Sequence, residues 1–214
     1  MVAPIVAAAP FQNGSFETGV ACNNFNIPAG NNFTVGWTVS VGNIDWIGAP
    51  PGCGAWQASN GTNSLDLVGG FLAGVGGVTQ TFDTVPGVTY QVQFDLGGNF
   101  GAPPVIKPLA VTINGVTTNF TFDTSGSSSL NMGWTTKTMT FVAASTSSTI
   151  NFVSDVSAAG GTLNAGAALD NVRVTQLAAT GAPIPLSWAQ WVAAAAIALM
   201  AVVFFRRRKA GSPA

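Results

Sequence analysis

The chain has 214 residues, no histidine and only 7% charged side chains. Residues 1–180 carry three basic residues (Lys107, Lys137, Arg173) against eight acidic ones, a net charge of −5. A surface so poor in cations cannot supply the phosphate contacts of a nucleic-acid binder. The segment 1–180 is long enough to close one sandwich or barrel around a full core, and no repeat divides it.

Residues 1–10 (Met1-Val-Ala-Pro-Ile-Val-Ala-Ala-Ala9 and Pro10) end in small residues as a secretory cleavage site does, without the basic start of a complete signal. They read as the remnant of a signal peptide. From residue 11 the pattern is that of short strands. Strands are predicted at Phe33–Ser40, Asn43–Ile47, Ser64–Val68 and Val78–Asp83. Val88–Leu96 alternates apolar and polar residues without a fault, the period of a half-buried strand. Asn114-Gly115, between Val111-Thr-Ile113 and Val116, is the dipeptide of a two-residue hairpin, and Phe120 and Phe122 continue its second arm. Thr135–Ala143, Thr149–Val153 and Ala168–Leu177 complete about ten strands. The expected fold is all-β, an antiparallel jelly-roll β-sandwich over residues 11–177. The Asn-x-Ser/Thr triplets at Asn13, Asn32, Asn60 and Asn119 read as turn chemistry.

Residues 178–185 form a linker. Leu186 to Phe205 follows without a single charge. At about 1.5 Å per residue it spans a hydrocarbon core of roughly 30 Å, so one C-terminal transmembrane helix is expected. Trp188 and Trp191 suit the interface at its leading end, and Arg206, Arg207, Arg208 and Lys209 in the 206–214 tail suit the cytoplasmic side. The expected location is therefore the cell surface or extracellular matrix. In an exported chain the cysteine pair Cys22 and Cys53 reads as a disulfide, worth about 3–4 kcal/mol by chain entropy. Two thiols without histidine make a poor zinc site.

The tail, with Ile184-Pro185-Leu186-Ser187-Trp188 before the helix and the arginines after it, resembles the IPTL-CTERM variety of bacterial sorting signals, related to PEP-CTERM. It lacks the Thr which that variety carries between Pro and Leu. The resemblance implies an exosortase-like membrane protease as a partner; a plain single-span anchor is the alternative. The outer domain has its own resemblance, carried in order by Asn13-Gly-Ser-Phe-Glu17, Gly36-Trp-Thr-Val39, Ile44-Asp-Trp-Ile-Gly48, Trp56-Gln57, Ser64-Leu-Asp-Leu67, Phe94-Asp-Leu-Gly-Gly98, Phe120-Thr-Phe-Asp123, Met132-Gly-Trp134 and Leu169-Asp-Asn-Val172. Together they resemble the choice-of-anchor C domain. That domain is similar to a plant cell-wall family of unassigned function and to the galactose-binding-like sandwich of many carbohydrate-binding modules. The resemblance implies no established activity.

A hydrolase would need a carboxylate pair, a nucleophile with its base, or metal ligands. Asp45 and Asp66 are the one pair that suggests itself, and Asp on the polar face of a strand is ordinarily solvated. The protein is expected not to be an enzyme. Asp45, Trp46, Trp56, Gln57 and Asp66 have the chemistry that grips sugars, with Trp56 the best exposed aromatic platform and Trp46 as readily core. Polysaccharide is the expected ligand, and a purely structural or adhesive role is the rival. Asp170 shares a strand face with Val172 and Val174, and a buried carboxylate needs a partner. The resemblance to carbohydrate-binding modules implies a structural calcium on Glu17 and Asp170; Arg173 or backbone amides are the alternative partners.

Overall fold

The computed structural model describes residues 9–19, 24–48, 54–70, 74–157 and 164–178. The chain divides into two units, Met1–Ala178 and Ala179–Ala214. Cys22, Cys53, the sorting motif and the expected membrane helix all lie outside the described residues. Among the described residues no helix is long and apolar enough to cross a membrane.

The described residues hold ten strands: β1 (Asn24–Pro28), β2 (Thr38–Gly48), β3 (Asn63–Asp66), β4 (Val75–Asp83), β5 (Thr89–Gly98), β6 (Ile106–Ile113), β7 (Val116–Asp123), β8 (Thr135–Val142), β9 (Ser147–Asp155) and β10 (Ala167–Gln176). Every pairing between them is antiparallel. One sheet runs β7-β6-β9-β4-β2, and the other runs β2-β3-β10-β5-β8 with β1 beside β2. The fold is an all-β antiparallel sandwich, as expected.

The predicted strands at 33–40 and 43–47 fall on one strand, β2, which begins only at Thr38 after a turn over 34–37 and is shared between the sheets. Thr38–Gly42 pairs with β4, and Asn43–Gly48 pairs with β1 and β3. The switch falls at Gly42, whose φ is +58° and where a Cβ would lie 1.9 Å from the Val75 carbonyl oxygen. No other residue fits that position without moving the backbone. β1 carries no strand pattern in the sequence, because Asn-Phe-Asn-Ile-Pro buries only Ile27. The hairpin at Asn114-Gly115 forms as read, with both residues at positive φ.

Alternation places one side chain in two between the sheets. Trp46, Leu65, Leu169 and Leu96 stand opposite one another across four strands, all at most 1% exposed. From the facing sheet come Val78, Leu109, Val111, Ile150 and Phe152. Trp37 is locked among Phe11, Phe16 and Phe152, and its indole N–H donates to the Asn13 carbonyl at 3.0 Å.

Candidate functional site

Alternation alone would give the outer face of the β3-β10-β5 sheet to solvent, and most of it is covered. Residues 54–63 cross this face, tied to it by Asp170 and Asp95 and to the segment before β1 by Glu17. Asp170, fully buried, accepts the backbone N–H groups of Ser59 (2.7 Å) and Asn60 (2.8 Å) on Oδ2 and of Asn171 on Oδ1. Asp95 accepts from the Ser59 and Thr136 hydroxyls and the Asn171 amide. Glu17 accepts the backbone N–H groups of Thr62 (2.9 Å) and Asn63 (2.8 Å) and the Thr62 hydroxyl. Burial pushes the Asp170 carboxyl up to about 7 against those amide bonds, with the charge of Glu17 adding to the rise. Burial also acts to raise Asp95, but hydrogen bonds from Ser59, Thr136 and Asn171, with the charge of Arg173, hold it below its ordinary value.

Under that strap lies a second small core. Trp56 is 2% exposed, packs with Ile47, Met132, Ala168 and Trp134, and donates its indole N–H to Ser64 Oγ at 3.0 Å. This corrects the expectation of an exposed platform: a Gly/Ala/Gln setting reads as a projecting loop, but the carboxylates draw the loop flat and press the indole onto the sheet. Trp46 is core as well, 1% exposed and edge-on to Phe33. Gln57 is exposed, and its carbonyl accepts the Trp134 indole N–H at 3.0 Å.

Asp45 and Asp66 are brought together as register partners on β2 and β3. Asp66 is fully buried and accepts from Val68 N, Gly166 N and Asn99 Nδ2. Burial pushes it up to about 7 against those bonds, with the charge of Asp45 adding to the rise. Asp45 is half-buried, accepts Asn26 N–H at 2.7 Å, and is also raised by burial against that bond. With no surface on Asp66, a glycosidic bond cannot reach both carboxyls, so the pair is not placed as a hydrolase needs. The structure therefore joins the two aspartates but does not assemble the five expected ligand residues into an open surface.

Among the described residues an open concavity lies where the sequence pattern marks no site. β7 is the free edge of one sheet and β8 of the other, and their inward side chains face across an uncovered seam. Eight residues of strand make it roughly 26 Å long at about 3.3 Å each. At one end a depression of about 390 Å³ is lined by Thr121, Phe122, Asp123, Ser125, Ser127, Asn131, Thr135 and Lys137. At the other a depression of about 330 Å³ is more apolar, with Ile113, Val116, Met139, Phe141 and Val142. Hydroxyls, an amide, one carboxylate and one ammonium beside aliphatic walls can hydrogen-bond a sugar's hydroxyls and cover its C–H faces. The Ser125 amide holds Asp123 ionised, below its ordinary value. No local signal marks the seam, because β7 and β8 pair with different sheets and meet only through the sheet order.

Fold and surface together define a β-sandwich with a polar seam and no assembled catalytic constellation among the described residues. The chain belongs to the family described as "Protein of unknown function (DUF642)", matched over residues 9–175. No curated protein matches it. Among solved structures it is similar to TmCBM61 in complex with beta-1,4-galactotriose, at 14% identity and a TM-score of 0.45 over 67% of this chain and 90% of that one. It is also similar to the CBM22-1 xylan-binding domain from Paenibacillus barcinonensis Xyn10C, at 16% identity and a TM-score of 0.45 over 76% and 98% of the two chains. A family 35 carbohydrate binding module from Clostridium thermocellum matches at 12% identity and a TM-score of 0.41 over 73% and 100%.

Proposed function

We propose that this is a non-catalytic, exported cell-surface or matrix protein that binds extracellular or cell-wall polysaccharide along the β7/β8 seam. The observation that carries the reading is the sugar-sized depression lined by Thr121, Asp123, Asn131, Thr135 and Lys137. On a glycan array, the domain should bind a limited set of linear glycans, and Asn131→Ala should weaken that binding by tenfold or more. A blank array with demonstrably folded protein would favour a structural or adhesive matrix role. The two sheet edges, β7 and β8, each paired on one side only, support that rival.

Export rests on the C-terminal sequence alone: a motif at Ile184–Trp188, an uncharged apolar run over 186–205 long enough for a membrane helix, and the arginine cluster, a sorting signal for an exosortase-like protease. The Cys22–Cys53 disulfide belongs to the same reading.

Glu17 and Asp170 suit a structural calcium. They are hard oxygen donors close enough for one charge to act on the other, and the side chains bonded to them are neutral. Backbone amides occupy much of their accepting capacity, so the ion would brace residues 59–63 together with those amides and take no part in chemistry. Chelator should lower the melting temperature of the domain by several degrees, and Glu17→Gln should abolish that sensitivity. An unchanged melting temperature in chelator would assign both carboxylates to the amides alone.

A further inference from the structure

Among the three cations of the sandwich, Lys137 is placed differently from the others. Lys107 is wholly buried, with its ammonium on the carbonyls of Ala102 (2.7 Å) and Ala165 (2.8 Å), and the charge of Arg173 acts on Asp95. Lys137 stands opposite Phe94 in the β5/β8 register, so its Cβ points inward from an edge strand, into the seam. Its ammonium has no hydrogen-bond or ion-pair partner among the described residues, and it lines the 390 Å³ depression.

We propose that Lys137 makes this depression a subsite for a carboxylated sugar, so that the ligand is a uronate-containing polysaccharide. This rests on the seam reading given above. An ammonium carries three donors and full charge, and a carboxylate is the sugar substituent that answers both. The Asn131 side-chain amide remains for the ring hydroxyls, and the hydroxyls of Ser127 and Thr135, which donate to the Met132 and Leu96 carbonyls, can still accept from them. The one other charge in the lining, Asp123, is already turned to the Ser125 amide at 2.8 Å. The domain's overall net negative charge opposes a polyanion only weakly, because at about 0.15 M salt charges beyond roughly 8 Å are largely screened. An inward-pointing lysine on an edge strand also discourages edge-to-edge pairing, and that role alone would leave glycan binding untouched by its loss.

The experiment is calorimetric titration of the full chain, in nonionic detergent, with a hexauronate and with its fully methyl-esterified counterpart. The acid should bind at least tenfold tighter than the ester, with a preference that shrinks as salt rises. Lys137→Gln should erase the preference, and Lys137→Arg should keep most of it. Equal affinity for acid and ester, still lost in Asn131→Ala, would overturn the uronate subsite and leave the seam standing as a neutral-glycan site. A Lys137→Gln protein that self-associates by light scattering but binds the acid unchanged would also overturn it, assigning the lysine to edge protection. No binding of either oligomer would overturn the uronate assignment as well, while the glycan array separately decides the seam.

Discussion

Trp56→Ala should lower the unfolding free energy by about 3–5 kcal/mol, the cost of truncating a fully buried aromatic. The indole is the centre of the small core on the outer face of the second sheet, and its loss leaves a cavity bounded by Ile47, Met132, Ala168 and Trp134. It also removes the donor to Ser64 Oγ, which is itself fully buried. The strap over residues 54–63 should loosen with it, since its backbone is held by carboxylates at Ser59 to Asn63 and by side-chain packing at Trp56. Urea denaturation reads the effect as a lowered midpoint. A variant as stable as the parent, within the narrow range typical of surface substitutions, would place the indole at the surface and restore it as a sugar platform.

Stability should fall as pH climbs from about 4 to about 7, and Asp66 is a main cause. Its folded-state carboxyl is pushed up to about 7 by burial, while the unfolded chain titrates near the ordinary value of 3.8. Between those values the folded protein holds a proton that the unfolded chain has shed, so each step up in pH favours unfolding. At about 1.4 kcal/mol per pH unit the window amounts to about 4 kcal/mol. Lys107 acts oppositely at higher pH. Burial lowers its ammonium to about 8 from 10.5, with the charge of Asp66 opposing. Between about 8 and 10.5 the unfolded chain binds the extra proton, and stability recovers. The expected profile has its minimum near neutrality. Asp66→Asn should flatten the acid-side slope relative to the parent, with Asp170 accounting for what remains. Parallel slopes for parent and variant between pH 4 and 7 would show that Asp66 stays ionised in the folded state.

Much of the sandwich is legible along the chain because strand periodicity and tight turns are local. Val88–Leu96 shows its inward face in every second residue, and Asn114-Gly115 supplies the positive φ pair that a two-residue hairpin requires. The burial of Asp170 is legible, but its face is not: Leu169 points between the sheets and Asp170 to the outer face, and Asn171, at a φ of +52°, breaks the alternation that would have put Asp170 on one face with Val172 and Val174. The pattern misleads where one strand serves two sheets or where an outer face is covered. Gly42 looks like a break between two strands because a glycine ends many strands; here it permits one strand to change sheets. Asp95 occupies the polar register of β5, which normally means water, and its place under the strap follows from Ser59, far earlier in the chain.

Local pattern was enough for the all-β class, most of the strands, and the side chains that fill the space between the sheets, because alternation and turn geometry act over a few residues. It also contained the residues now joined at Glu17, Asp95 and Asp170, without their partners. Closure of the two sheets settled the rest: Trp56 is core, Asp45 and Asp66 stand side by side with one of them sealed, and β7 and β8 face each other across an open seam. Those outcomes depend on sheet order and on the path of one loop, and contacts between distant segments exist only once the sheets have packed together.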